Sequence, residues 1–411
     1  MSARAAVTQR PQYGVETAIG TSVAADKAFR SLSLTVEPKV ETETIKPAGR
    51  RFGTGTYVKS ESSEGSLEGQ VCARELTDVL GLVFGDATAT SEPYAGVTGR
   101  TFVLSDDAQS WTVQAGDATN AVEVAGVIAT GVDFEFEKNS GKAEIKVKLV
   151  GQVYDNEATL TASPVEELSA ILTGAGTSVY IADTLAGLDA DPTQLPYAIS
   201  EKIKFEKMRD VAWYTDASKP SWSDVVADDA SGSELELVIE ASEAGRAFLG
   251  YLRDGTSKYI RVVTTGATIA STYKQKLTID LCVAPSGYKE KEEDAVYAVT
   301  VPLTVVEDED GFSHQVSLQN DVDLLAGLTP TTGSATPTAG GFTFNITNYD
   351  GAYTWTATAP GATVTIGTPS GSTALVTVSG LGSSVSKTVT IGTSRTLYKA
   401  GSATRSGTSS A

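Results

Sequence analysis

The chain has 411 residues, 41% of them hydrophobic and only 7% aromatic, with 39 glycines and a formal net charge of −19. That length exceeds one ordinary hydrophobic core, so two or three domains are expected. The composition excludes a disordered chain and favours many short strands joined by turns. The acidic surplus excludes tight binding of a polyanion, which takes an excess of Lys and Arg.

Residues 1–28 have little periodicity and are expected to form an arm that orders only against a neighbour. No apolar leader segment follows Met1, and no later run approaches the roughly 20 apolar residues of a membrane-spanning helix. A soluble protein without membrane insertion is therefore expected. Leu32 to Val36 alternates as a strand that Pro38 ends or leaves at an edge. Residues 38–68 mix glycines with Thr42, Glu43, Arg50, Arg51, Phe52, Tyr57 and Lys59 and show no apolar face. A long loop making an inter-subunit contact is expected there.

A helix is expected near Arg74 to Val83, and the next clear element is a hairpin. Val132, Phe134 and Phe136 alternate with Asp133, Glu135 and Glu137, and Asn139-Ser140-Gly141 turns the chain. Ala143, Ile145, Val147 and Leu149 alternate with charged residues on the return strand, so one face is buried and one is wet. Ser163-Pro164-Val165-Glu166 reads as a capping box, and Val165, Leu168, Ile171 and Leu172 then share a face, which predicts a short helix. Alternation predicts further strands at Ile203–Glu206, Glu234–Ile239 and Lys274–Leu281. A helix from Ser242 to Asp254 is closed by Gly255, and a strand from Val296 to Val306 is interrupted by Pro302.

Past Leu328 the composition turns to Thr, Ser, Gly and Ala, which predicts a linker over 328–340. Five short alternating segments between Phe342 and Ile391 then predict a β-sandwich over 341–411 with Trp355 as its core anchor. The last ten residues are expected to fray. After Gly327 four basic residues face one acid, Asp350, so the acidity belongs to the body over 29–327.

Signatures of chemistry are few. His314 is the only histidine, so no Ser-His-Asp or Cys-His arrangement can form without it. It is expected to lie exposed or at a strand edge. Cys72 and Cys282 are read as small reduced residues, a single disulfide being the alternative. Glu307 to Gly311 lacks the ligand spacing of a calcium loop, and no zinc set exists. No catalytic, metal or cofactor residue is assigned, and an enzyme is not expected.

From Tyr13 to about Leu325 the order of segments resembles the major tail tube proteins of long-tailed bacteriophages. The likeness rests on Ser31-Leu32-Ser33-Leu34 followed by Lys39-Val40-Glu41-Thr42-Glu43, and on Ser178-Val179-Tyr180-Ile181-Ala182-Asp183 leading to Gly187-Leu188. It also rests on Phe248-Leu249-Gly250-Tyr251-Leu252 before Lys258-Tyr259-Ile260-Arg261-Val262, and on the run from Val301 to Asp308 and on to Val316–Asn320. The C-terminal tract resembles immunoglobulin-like or adhesion modules. The resemblance implies a mainly β, tail-tube-type fold of two packed antiparallel sheets with a flanking short helix, followed by an immunoglobulin-like sandwich.

It also implies hexameric rings that stack into the tube of a virion tail, with tape measure, tail terminator and tail tip proteins as further partners. Double-stranded DNA would pass through without tight binding. Asp133, Glu135, Glu137, Glu234 and Glu236 are then candidates for an acidic lumen wall, and the 38–68 segment for contacts between rings. The alternative is a β-sandwich adhesin or a cell-surface glycan-binding protein.

Overall fold

The computed structural model describes residues 10–117, 120–167, 170–214, 221–293, 295–324, 326–395 and 398–411. Strands take up 56% of the chain and helices 8%, in line with the mainly β expectation. The chain divides into two units, Met1–Val322 and Asp323–Ala411.

In the first unit the main elements follow the alternating patterns. They are β1 (Leu32–Ile45), β2 (Gly55–Gln70), α1 (Leu76–Phe84), β3 (Val97–Phe102), β4 (Asn120–Glu137), β5 (Lys142–Gly151), β6 (Thr177–Ala182), α2 (Leu185–Ala190) and β7 (Ala198–Phe205). A small hairpin of β8 (Arg209–Ala212) and β9 (Asp224–Ala227) comes next. It is followed by β10 (Glu234–Glu240), α3 (Glu243–Asp254), β11 (Lys258–Ala270), β12 (Tyr273–Pro285), β13 (Val296–Val305) and β14 (His314–Asn320).

One antiparallel sheet runs β1-β2-β5-β4-β7-β10-β13. A second runs β6-β11-β12-β14-β3, and the two join where the end of β12 pairs with β13. Phe134, Phe136, Ile203, Phe205, Leu235 and Leu237 of the first sheet are buried, as are Ile260, Val262, Leu277, Ile279, Val316 and Leu318 of the second. Burying each such side chain contributes about 2 kcal/mol. The two sheets meet through Phe205 of β7 and the His314 ring of β14, whose centroids lie 4.9 Å apart, and Phe84 of α1 wedges between them, 5.4 Å from Phe205 and 5.6 Å from His314.

α1 is thus an internal helix. Val79, Leu80, Leu82, Val83 and Phe84 are all fully buried. The Arg209 guanidinium closes its C-terminal end by donating to Val83 O at 2.6 Å and to Ser105 O at 2.7 Å, where a cation also faces the negative end of the helix dipole. α3 matches the sequence pattern: Phe248 is buried and Gly255 ends the helix at φ 63°.

Several expectations are corrected. From Arg10 on, the N-terminal segment is part of the body: Gln12–Val15 pairs with Trp111–Asp117, and the Tyr13 ring stacks on Phe29 and Trp111 at 4.5 and 4.2 Å. Residues 1–9 lie outside the described residues. The capping box forms no helix. Ser163 has φ 58°, and Val165–Glu166 pairs in parallel with Lys27–Ala28, a tertiary pairing that overrides local helix signals. Leu168 lies outside the described residues. Strand β13 runs on through Pro302, which faces Glu236, and β1 runs on through Pro38, which an edge strand tolerates. Residues 38–68 are therefore no loop.

In the second unit, Thr336–Thr338, Gly341–Ile346, Ala374–Ser379 and Thr363–Ile366 form one sheet, and Thr354–Thr358, Ser386–Ser394 and Gly401–Thr408 another. The expected linker therefore already contributes a strand, and the expected frayed end is a paired strand. Phe342, Phe344, Ile346, Val376, Val378, Val389 and Ile391 make the core. Trp355 is not its centre but packs at the margin, stacked on Tyr349 at 5.2 Å, with Nε1 donating to Asp350 O at 2.8 Å.

Two buried ionisable groups oppose each other in their pH response. His314, expected at an edge, is 7% exposed; Nδ1 meets Ser313 Oγ at 3.0 Å, Nε2 has no partner among the described residues, and burial pulls its pKa down to about 4. Glu201, on the inward side of β7, is 4% exposed beside a void of about 60 Å³, and burial pushes its carboxyl up to about 8, with Lys138 the opposing charge. Unfolding lets His314 take up a proton as pH falls from 6.5 towards 4, so that part of the stability is lost on acidification. Glu201 must stay protonated when folded, so its part is complete below about 4.5 and is lost as pH rises through about 8.

His314→Leu should therefore remove about 2 kcal/mol of the wild-type loss in unfolding free energy between pH 7 and pH 4.5. Glu201→Gln should raise stability by on the order of 3 kcal/mol at pH 8.5 and leave it unchanged at pH 4.5. Urea titrations at the three pH values check both.

Candidate assembly surfaces

Strict alternation along β4, β5, β7 and β10 places every side chain of one parity on the outer face of the first sheet. All five candidate lumen acids are on it. Asp133 lies opposite Lys204 and Lys146, Glu135 opposite Lys202 and Glu144, and Glu137 opposite Lys142, while Glu234 and Glu236 lie opposite Lys204 and Lys202 from the other side. The face is consequently a mixed-charge lattice in which the candidate acids stand among lysines, with Glu135 and Glu144 a like-charged neighbour pair. Lys204 Nζ reaches Glu234 at 2.5 Å, Lys142 Nζ reaches Glu135 at 2.8 Å, Lys146 Nζ reaches Glu68 at 3.0 Å, and Lys148 Nζ reaches Glu206 at 2.7 Å.

Asp133 is half-buried, and desolvation holds its carboxyl above the usual range against the pull of Lys148. Its Oδ1 has no hydrogen-bond partner among the described residues. A concavity of about 410 Å³ opens beside it, bordered by Glu68, Glu135, Glu144, Lys146 and Lys202. The alternation was legible in the sequence. The lysines of β7 that stand opposite these acids were not, because they come from a strand distant in the chain whose register only the fold sets.

The second surface is a two-stranded ribbon. β2 pairs with β5 only from Ser63 to Gln70, so from Pro38 and Ser63 outward β1 and β2 have no partner but each other. At about 3.4 Å per residue the ribbon projects roughly 25 Å before its turn. Ser221 Oγ, donating to Glu61 O at 2.6 Å, and Ser63 Oγ, donating to Gln152 O at 2.8 Å, fix its root.

All seven candidate stacking residues lie on this ribbon. Glu43 faces Tyr57, whose hydroxyl donates to it at 2.8 Å, and Lys59 approaches Glu41 at 3.8 Å, so one ribbon face is charged and internally bonded. Thr42 and Val58 pair on the other face, next to Val40. Arg50, Arg51 and Phe52 sit in the turn, where Phe52 is 82% exposed. Between Glu43 and Glu61 the only charges are Lys46, Arg50, Arg51 and Lys59, so an acidic chain carries a basic, aromatic tip.

Two further features lie apart from these surfaces. A cleft of about 570 Å³ on the second sheet has Arg261 in its floor, but that guanidinium is already held by Asp280 at 2.7 and 2.8 Å, Asp189 at 2.7 Å and Leu188 O at 2.8 Å. In the Glu307–Gly311 turn, Asp308 accepts from the Asp310 and Phe312 amides and from the Tyr259 hydroxyl. Among the described residues no group of His, Cys, Asp or Glu is placed to hold a metal, and no helix is long and apolar enough to cross a membrane. Cys72 and Cys282 are both buried and free.

Compared with known proteins, the chain matches no family model and no curated sequence.

Lys204 stands between Asp133 and Glu234, so its removal leaves two carboxylates about 10 Å apart, on the strands either side of β7, with no cation between them. Lys204→Met should lower the unfolding free energy by about 1 kcal/mol, less in 1 M salt, because the pair is partly exposed and screened. Chemical denaturation at low and high salt measures this, and equal losses in both would refute the electrostatic account.

Proposed function

We propose that this chain is the subunit of a self-assembling tube of the kind formed by the major tail tube proteins of long-tailed bacteriophages. On this reading the C-terminal unit is an immunoglobulin-like appendage. The observation that carries it is the unsupported ribbon. An isolated two-stranded hairpin is marginally stable in water, and a long one with bare edges invites pairing with other chains. A body that spends some 25 residues on such a projection, tipped with Phe52 and unpaired cations, is built to be completed by another molecule.

The charge lattice supports the second half of the reading. A conduit for double-stranded DNA must not hold phosphate, and holding it takes free Lys or Arg. Four of the lysines on the outer face of the first sheet are tied to carboxylates of the same subunit, so a lumen lined by this face would offer DNA few cations to exchange for its counterions. Hexameric rings, and tape measure, terminator and tip proteins as neighbours, follow from the family resemblance.

The test is to image the purified chain by negative stain beside a variant in which a short Gly-Ser turn replaces Thr42–Lys59. Wild type should form rings or tubes with a central hole. The variant should stay folded by circular dichroism and form no tubes. A wild-type chain that stays monomeric at high concentration would sink the proposal. Glycan binding by that monomer, lost in Trp355→Ala, would favour an adhesin, for which the Tyr349–Trp355 pair is the supporting feature.

A further inference from the structure

The basic tip of the ribbon has a counterpart in the same unit. The β8–β9 hairpin has two unlike faces. Arg209 on the inner face is 2% exposed and bonded to the end of α1, which anchors the hairpin to the core. The register pairs Asp210 with Val226 and Ala212 with Asp224, which puts both carboxylates and Val226 on the outer face. Trp213 and Tyr214 follow directly and are 48% and 60% exposed.

Among the described residues Asp210 and Asp224 each accept only from the next backbone amide, and Asp228 does the same. Among the described residues none of the three is in a salt bridge. Of the cations near them in sequence, Lys207 donates to Ser231, Arg209 is turned inward to Val83 O, and Lys219 lies outside the described residues. Lys46, Arg50 and Arg51 of the tip are likewise without an ion-pair partner among the described residues, although most lysines of the body have one. Among the described residues the ribbon tip and the β8–β9 hairpin thus carry charges of opposite sign without ion pairs, each beside exposed aromatic rings.

They cannot meet within one molecule. Ser221, just before β9, bonds the root of the ribbon at Glu61, whereas the tip begins at Ile45 and Gly55. Six residues of extended strand set the two about 20 Å apart.

We propose that the outer face of β8–β9, with Asp210, Asp224, Trp213 and Tyr214, receives the ribbon tip of a second copy, Arg50 and Arg51 pairing with the carboxylates and stacking on the rings. Carboxylate-facing Arg over Trp or Tyr is a favourable arrangement at a water-excluding contact. The contact joins unlike patches, so it is head-to-tail and not a two-fold dimer contact, and it repeats from copy to copy as the stacking of rings requires. This assignment rests on the tube reading above and names the surface that reading leaves open.

The experiment uses two full-length charge-reversed chains, Arg50→Glu/Arg51→Glu and Asp210→Lys/Asp224→Lys, with assembly read by sedimentation and negative stain. Alone, each should yield about tenfold less sedimenting tube than wild type, because like charges then face each other at every contact. Mixed in equal amounts they should assemble, since each tip then finds a receptor of opposite sign in the other chain. Tubes from the Asp210→Lys/Asp224→Lys chain alone, or none from the mixture, overturn the assignment while leaving the tube reading intact. A wild-type chain that never assembles overturns both. Should either variant fail to fold, a Phe52→Cys chain and a Trp213→Cys chain are mixed with a short bismaleimide. Cross-linked heterodimer is the expected product, and its absence counts against the contact.

Discussion

The register of β4 governs the first unit. Its first half pairs with the strand that holds the N-terminal segment, and its second half pairs with β5 on one side and β7 on the other. Because side chains alternate with a period of two, that register commits Phe134 and Phe136 to the core and Asp133, Glu135 and Glu137 to the outer face at the same time. A slip by one residue would bury three carboxylates, so burial of the phenylalanines also fixes where the charges stand.

From that sheet the rest is propagated outward. β5 fixes β2, and β2 carries β1, so the ribbon is aimed by a core it does not itself touch. On the opposite flank, Phe84 and His314 lock the second sheet and α1 against Phe205. Arg209 then fastens the β8–β9 hairpin to the same helix. The ribbon and the β8–β9 hairpin are therefore each held by the buried core.

The charge lattice alters what net charge means for this molecule. A total of −19 predicts repulsion of phosphate at long range. On the outer face of the first sheet, short-range pairing between Glu and Lys removes the free cations instead of removing cations altogether. A surface of this kind offers DNA few free cations, whereas among the described residues the ribbon tip and β8–β9 carry charges without ion pairs.

By itself the sequence determined the mainly β class, the hairpin at Asn139–Gly141, the helix closed by Gly255 and a C-terminal unit built of short strands, because period and capping are local properties. It also placed Thr42, Glu43, Arg50, Arg51, Phe52, Tyr57 and Lys59 in one segment, but as a loop, since strands exposed on both faces carry no apolar alternation to reveal them. Only the tertiary structure decided that Val165 joins a strand, that His314 is buried, and that Lys202 and Lys204 stand opposite candidate acids. Each of those outcomes depends on a partner distant in the chain, and pairing energy between distant strands leaves no trace in the residues of either one alone.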